Sequence, residues 1–129
     1  MSPDKEQEII NLAPYMFRYD GWDNIQRCLL KFGFEVHDGW FDILKELVTN
    51  IAKIDIGKEC RVFQVKEKYG GLRFYVDYMT DEISNLISYT ERISEDTCEV
   101  CGKFGTLRTN GWYMCRCDGC EEKYNNAKK

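Results

Sequence analysis

The sequence predicts an α+β fold, and three observations carry that expectation. In several stretches apolar residues recur at three- and four-residue steps, as on one face of a helix. Between residues 60 and 78 the period drops to two around a glycine pair, as in a β-hairpin. Five of the seven cysteines then fall within 23 positions, "CEVCGKFGTLRTNGWYMCRCDGC", residues 98–120. The expected order is N-terminal helices, a β-hairpin, a further helix and a C-terminal zinc ribbon. Residues 1–97 form the body, and residues 98–129 a four-cysteine module packed on it.

Ser2-Pro3-Asp4 with Glu6 marks the first helix start, with proline in the first turn and acids facing the positive helix end. Ile9, Ile10 and Leu12 give it an apolar side, and Pro14 stops it. Two similar stretches follow, "DGWDNIQRCL" (20–29) and "DGWFDILKEL" (38–47). They read as two helices sharing one start signal, an aspartate capping free N–H groups, rather than as a repeated fold. The second carries a long stripe: Trp40, Ile43, Leu44, Leu47, Val48 and Ile51. Between the two, "KFGFEVH" turns the chain at Gly33.

In "CRVFQVKEKYGGLRFYVDY" Phe63 and Val65 are expected on one face, and Leu72, Phe74, Val76 and Tyr78 on the other strand's buried side. Gly70-Gly71 sits between the arms, where a tight turn needs positive φ. Thr80-Asp81 opens another helix, with Ile83, Leu86, Ile87, Thr90 and Ile93 as its buried face.

Cys98-x2-Cys101, fifteen residues, then Cys117-x2-Cys120 matches the spacing of a four-thiolate zinc site. Two thiolates three apart on a tight turn reach one ion, and Gly102 supplies the turn position that a Cβ would disfavour. Asn110-Gly111 is a hairpin signal between the pairs. Four thiolates close the coordination shell, so the expected Zn2+ is structural. Cys115 is the surplus thiol: it is placed outside the shell, with Cys117 as ligand, although it can in principle replace Cys117 or confer oxidation sensitivity once exposed. Cys28 and Cys60 lie in apolar patterns and read as core residues.

Composition narrows the function classes. With 43% hydrophobic and 14% aromatic residues the chain has ample material for a core. No stretch approaches the roughly 18 apolar residues of a membrane span, and the acidic start "MSPDKEQEII" is unlike a secretory signal. The expected setting is the cytoplasm, where thiols stay reduced, and the odd cysteine count points the same way. Residues 1–97 hold 12 Lys and Arg against 18 Asp and Glu, whereas residues 98–129 hold 6 against 4. An acidic body with a faintly basic tail suits a protein partner better than duplex DNA.

Catalytic constellations are sparse. His37, the single histidine, stands beside Asp38, but no nucleophile accompanies it, and a helix-start histidine is the plainer reading. A metal-supported hydrolase using His37 is the weakest of three functional readings. The chain is therefore read as a non-enzyme. Gly70-Gly71 lacks the lysine and hydroxyl residue of a phosphate loop.

"GFEVHDGWFDIL", "FQVKEKYGGLRFYV", the helix after it and the cysteine module together resemble a family of small phage- and prophage-type proteins. Members carry a K-E-K-[FY]-G-G-L-R-F-Y core and a C-terminal C-E-x-C-G module. The resemblance covers residues 33–120, the first 30 residues are less family-like, and the last knuckle, which ends in His or Cys in the family, ends here in Cys120. It implies a phage or mobile-element setting, in which small accessory proteins bind host or competing-phage proteins, defence factors among them.

The leading expectation is thus a zinc-stabilised interaction protein that modulates a protein partner, for instance by inhibiting a host defence system. Tyr69, Arg73, Trp112 and Tyr113 at hairpin ends are the expected contacts. The alternative is a nucleic-acid-binding ribbon using Lys103, Arg108, Trp112 and Arg116, with Lys66, Lys68, Tyr69 and Arg73 as a second basic-aromatic tip. An exposed hairpin edge also leaves a homo-oligomer open.

Overall fold

The computed structural model describes residues 1–18 and 33–127. The expected helix over 20–29, with Cys28, lies outside the described residues. Helix α1 (Pro3–Leu12) starts at its proline and ends ahead of Pro14, which opens a 3-10 turn, Pro14–Phe17. A second 3-10 turn, Asp38–Trp40, leads into helix α2 (Phe41–Ile54). Asp38 does not cap its own helix as expected: its carboxylate accepts the Ser2 backbone N–H at 2.8 Å, tying the start of α1 to this turn. Within the α2 stripe Leu44, Leu47, Val48 and Ile51 are buried, as is Trp40 just ahead of it.

Strands β1 (Arg61–Lys68) and β2 (Gly71–Asp77) pair antiparallel. The turn is Tyr69-Gly70, both at positive φ (53° and 84°), and Gly71 already pairs with Lys68. The glycine pair therefore straddles the strand end instead of forming the turn. A register shift between Val62 and Gln64 moves Phe63 off the buried face, so Val62 and Val65 fill the core. One extra residue inverts the alternation on either side of it. Leu72 and Phe74 are buried as expected, whereas Tyr78 is exposed.

Helix α3 (Asp81–Ser94) is capped by Thr80, whose hydroxyl accepts the Ile83 N–H at 3.2 Å. It packs on α2 and on β2, and α1 packs on α2, so the helices cover one face of the hairpin. Ile83, Ile87, Thr90 and Ser94 form its buried face, with Leu86 partly buried. Ser94 hydroxyl also accepts the Leu72 N–H at 2.9 Å, closing the sheet edge against the helix.

The cysteine module carries a second hairpin, β3 (Thr106–Arg108) with β4 (Met114–Arg116), and a helix, α4 (Asp118–Ala127). Helices, a hairpin and the four-cysteine cluster make the fold α+β. Among the described residues no helix is long and apolar enough to cross a membrane.

Candidate metal centre and aromatic groove

The Cys98–Cys101 turn is a tight knuckle in which the Gly102 N–H donates to the Cys98 carbonyl at 2.9 Å. Gly102 sits at φ +83°, the conformation its position calls for. The second cysteine pair is placed differently. Cys117 precedes α4 and Cys120 lies in its first turn, where the Cys120 N–H donates to the Cys117 sulfur at 3.4 Å. One pair thus rides on a loop and the other on a helix start.

The Sγ atoms of Cys98, Cys101, Cys117 and Cys120 all lie within 4.8 Å of one another, with Cys101 and Cys117 3.5 Å apart. Four thiolates about 2.3 Å from a central ion stand about 3.8 Å apart, so the set fits a tetrahedral metal and can hold one. Hydrogen bonding, chiefly from the Cys120 N–H, lowers the Cys117 thiol to about 6. Burial, then the hydrogen bond to Cys117, pushes Cys120 up to about 12. A metal held by such a set displaces the protons its thiols carry.

Cys115 is not among the four. It is buried, its thiol donates to the Glu95 carbonyl at 3.3 Å, and burial pushes its pKa up to about 11. Cys60 is likewise a fully buried core residue.

The knuckle is docked on the body through backbone. Gly39 N–H donates to the Glu99 carbonyl at 2.7 Å, and a Cβ on Gly39 would lie under 3.0 Å from the backbone of Cys98 and Glu99. Trp40 Nε1 donates to the Thr97 carbonyl at 2.9 Å, and the His37 N–H to Glu99 Oε2 at 3.0 Å. His37 itself is an exposed residue opening the 3-10 turn, and Asp38 is engaged by Ser2 rather than by the imidazole.

The turn of the first hairpin meets the second: Gly70 lies so close to Leu107 that a Cβ there would overlap its side chain. Five residues, Thr109 to Tyr113, join β3 to β4 in place of a two-residue Asn-Gly turn. This wider loop carries Trp112 and Tyr113 outward, 77% and 45% exposed, beside Tyr69 at 72%. The three aromatics border one groove of about 460 Å³, with Lys66 and Lys68 on its wall. Arg73 is on the other side of Tyr69, lining a depression of about 400 Å³ with Glu95 and Leu107.

Of the basic residues proposed for phosphate, Lys103 is exposed. Arg116 is 4% exposed, pairs with Glu121 at 3.0 Å and stacks on the Tyr124 ring at 3.8 Å. Arg108 donates to Asp118 at 2.8 Å and to the Arg116 carbonyl. These two arginines hold α4 against β4.

Two features lie outside the sequence reading. Gly39 is the docking point of the knuckle, yet "HDGW" looked like a helix start. Glu99 is 2% exposed, and burial raises its carboxyl to about 7. Its only sequence signal is its place inside the C-E-x-C-G pattern. Comparisons with protein-family models, curated proteins and solved structures give no match.

Proposed function

We propose that the chain is a zinc-stabilised interaction protein that binds a protein partner in the groove between its two hairpin tips. The carrying observation is the set of three large aromatics, Tyr69, Trp112 and Tyr113, held in water around one groove. Burying such rings is favourable, and rigid side chains lose little entropy on contact. Their positions are fixed by the metal centre on one side and the packed body on the other. Four sulfurs without an open position suit zinc in a structural role. The phage setting, and a host defence factor as target, enter through the resemblance of residues 33–120. Spent arginines weigh against the nucleic-acid reading, because Arg108 and Arg116 already have carboxylate partners.

The test is capture from a bacterial lysate on the tagged, metal-loaded protein, with nuclease, next to a Tyr69→Ala/Trp112→Ala/Tyr113→Ala variant. A stoichiometric protein retained by the wild type and lost from the folded variant supports the reading. Equal retention by both, or recovery abolished by nuclease, overturns it.

A further inference from the structure

Beside the aromatic groove lies a second cavity of about 250 Å³, and Glu67 and Trp112 line both. Its wall is acidic and apolar together: Glu35, Glu67 and Glu99 with Phe34, Val36 and Met114. Glu99 is the decisive residue. Its Oε2 accepts the His37 N–H at 3.0 Å, while its buried Oε1 has no hydrogen-bond partner. A buried, unmatched carboxylate oxygen is costly, and a donor entering the cavity removes that cost.

Among the described residues no donor is within hydrogen-bond reach of that oxygen. Among the described residues no lysine or arginine pairs with Glu35, Glu67 or Glu99. The Met1 α-ammonium at the rim donates to the carbonyls of Phe34 and Val36; its charge acts on Glu99, but it makes no hydrogen bond to Oε1. Nor do the three carboxylates converge on one ion; among the described residues only the four cysteines do. This lining suits a cation with an apolar stem better than a bare metal. Methylenes match Phe34, Val36 and Met114, and a guanidinium or ammonium head can meet both carboxylate and the Trp112 face.

We propose that this cavity receives a basic side chain, arginine or lysine, presented by the protein partner in the adjoining aromatic groove; the inference rests on the interaction-protein reading. The acidic lining repels phosphate, so a protein and not a nucleic acid is the source of the cation.

The experiment is an NMR titration of the ¹⁵N-labelled, metal-loaded protein with Nα-acetyl-arginine methylamide and its lysine and citrulline counterparts. Saturable shifts of the Trp112 indole N–H and of the His37 and Glu99 amides are expected with the cationic probes and not with neutral citrulline. Glu99→Gln should weaken the response about tenfold at unchanged metal content. Glu67→Gln, which keeps an acceptor for the Gly70 N–H, tests the charge at a half-buried position if the first variant does not fold. No saturable shift, an equal response to citrulline, or undiminished affinity in the folded variants overturns the proposal. So does a thymidine oligonucleotide that moves these signals when arginine does not. Should the aromatic triple variant lose the captured partner while both glutamine variants bind it fully, the cavity inference fails and the groove reading stands. Should the triple variant keep the partner, the groove reading fails and the probe titration still decides the cavity.

Discussion

Replacing Gly39 by alanine puts one methyl group where the fold has no room. The new Cβ would lie under 3.0 Å from backbone atoms of Cys98 and Glu99, and backbone cannot swing aside as a flexible side chain does. The knuckle must back away, and three hydrogen bonds weaken together: Gly39 to Glu99 and His37 to Glu99 between body and module, and Trp40 to Thr97 just ahead of the knuckle. At about 1 kcal/mol net for each, the expected loss is about 2–4 kcal/mol. Urea unfolding followed by tryptophan fluorescence reads it, because Trp40 is fully buried and reports its own undocking. Metal content should stay at one ion per chain, since the four sulfurs need not move relative to one another. A variant as stable as the wild type would refute the backbone-docking argument. Gly119→Ala is the contrast: a Cβ there meets nothing within 4 Å, and in α4 alanine should add about 0.5–1 kcal/mol.

Three further outcomes are expected. Cys98→Ser or Cys117→Ser should lose the metal and unfold the module, whereas Cys115→Ser keeps one ion per chain at a cost of about 1 kcal/mol, read by metal analysis and melting. Chelation of the wild type should lower its melting temperature and open the cluster thiols to alkylation, while Cys60 in the core stays protected. Asp55→Asn should cost about 1–3 kcal/mol, because Tyr15 O–H and the N–H groups of Glu59 and Cys60 all donate to that buried carboxylate. Burial opposes the Asp55 charge, but those hydrogen bonds outweigh it and its pKa is lowered. Its stabilisation is full above the unfolded value of about 3.9 and vanishes as pH falls through the folded value. The difference between wild type and variant should therefore hold at neutral pH and collapse below about pH 4.

Where a single local period governs, the sequence was readable. The α2 stripe from Leu44 to Ile51 and the Thr80 cap of α3 follow from spacing and from one hydroxyl. The cysteine spacing likewise named the four sulfurs that converge. Reading failed where tertiary contacts override the local pattern. Phe63 leaves the core because a bulge inserts there, which no alternation announces. Tyr69 takes positive φ because the strand ends at Gly71, not before it. Helix α4 has no buried residue and hence no stripe; the Cys117–Cys120 pair and the Arg116 contacts with Glu121 and Tyr124 hold it instead. Tyr69, Arg73, Trp112 and Tyr113 are expected contacts one by one. That three of them share a groove while Arg73 lines a different depression depends on how two hairpins from different parts of the chain abut. Glu99 was invisible because an acid between two cysteines ordinarily faces solvent.

That glutamate shares its tetrapeptide with two of the sulfurs: Cys98 and Cys101 face the cluster, while Glu99 between them faces the acidic cavity. Glu99 is one peptide bond from Cys98 and two from Cys101, so the two sites have a common backbone frame. A cation that binds Glu99 more tightly when the knuckle is closed must, by thermodynamic reciprocity, strengthen the hold on the metal by the same factor. For the proposed cation, its affinity and that of the metal would then depend on one another by this one factor.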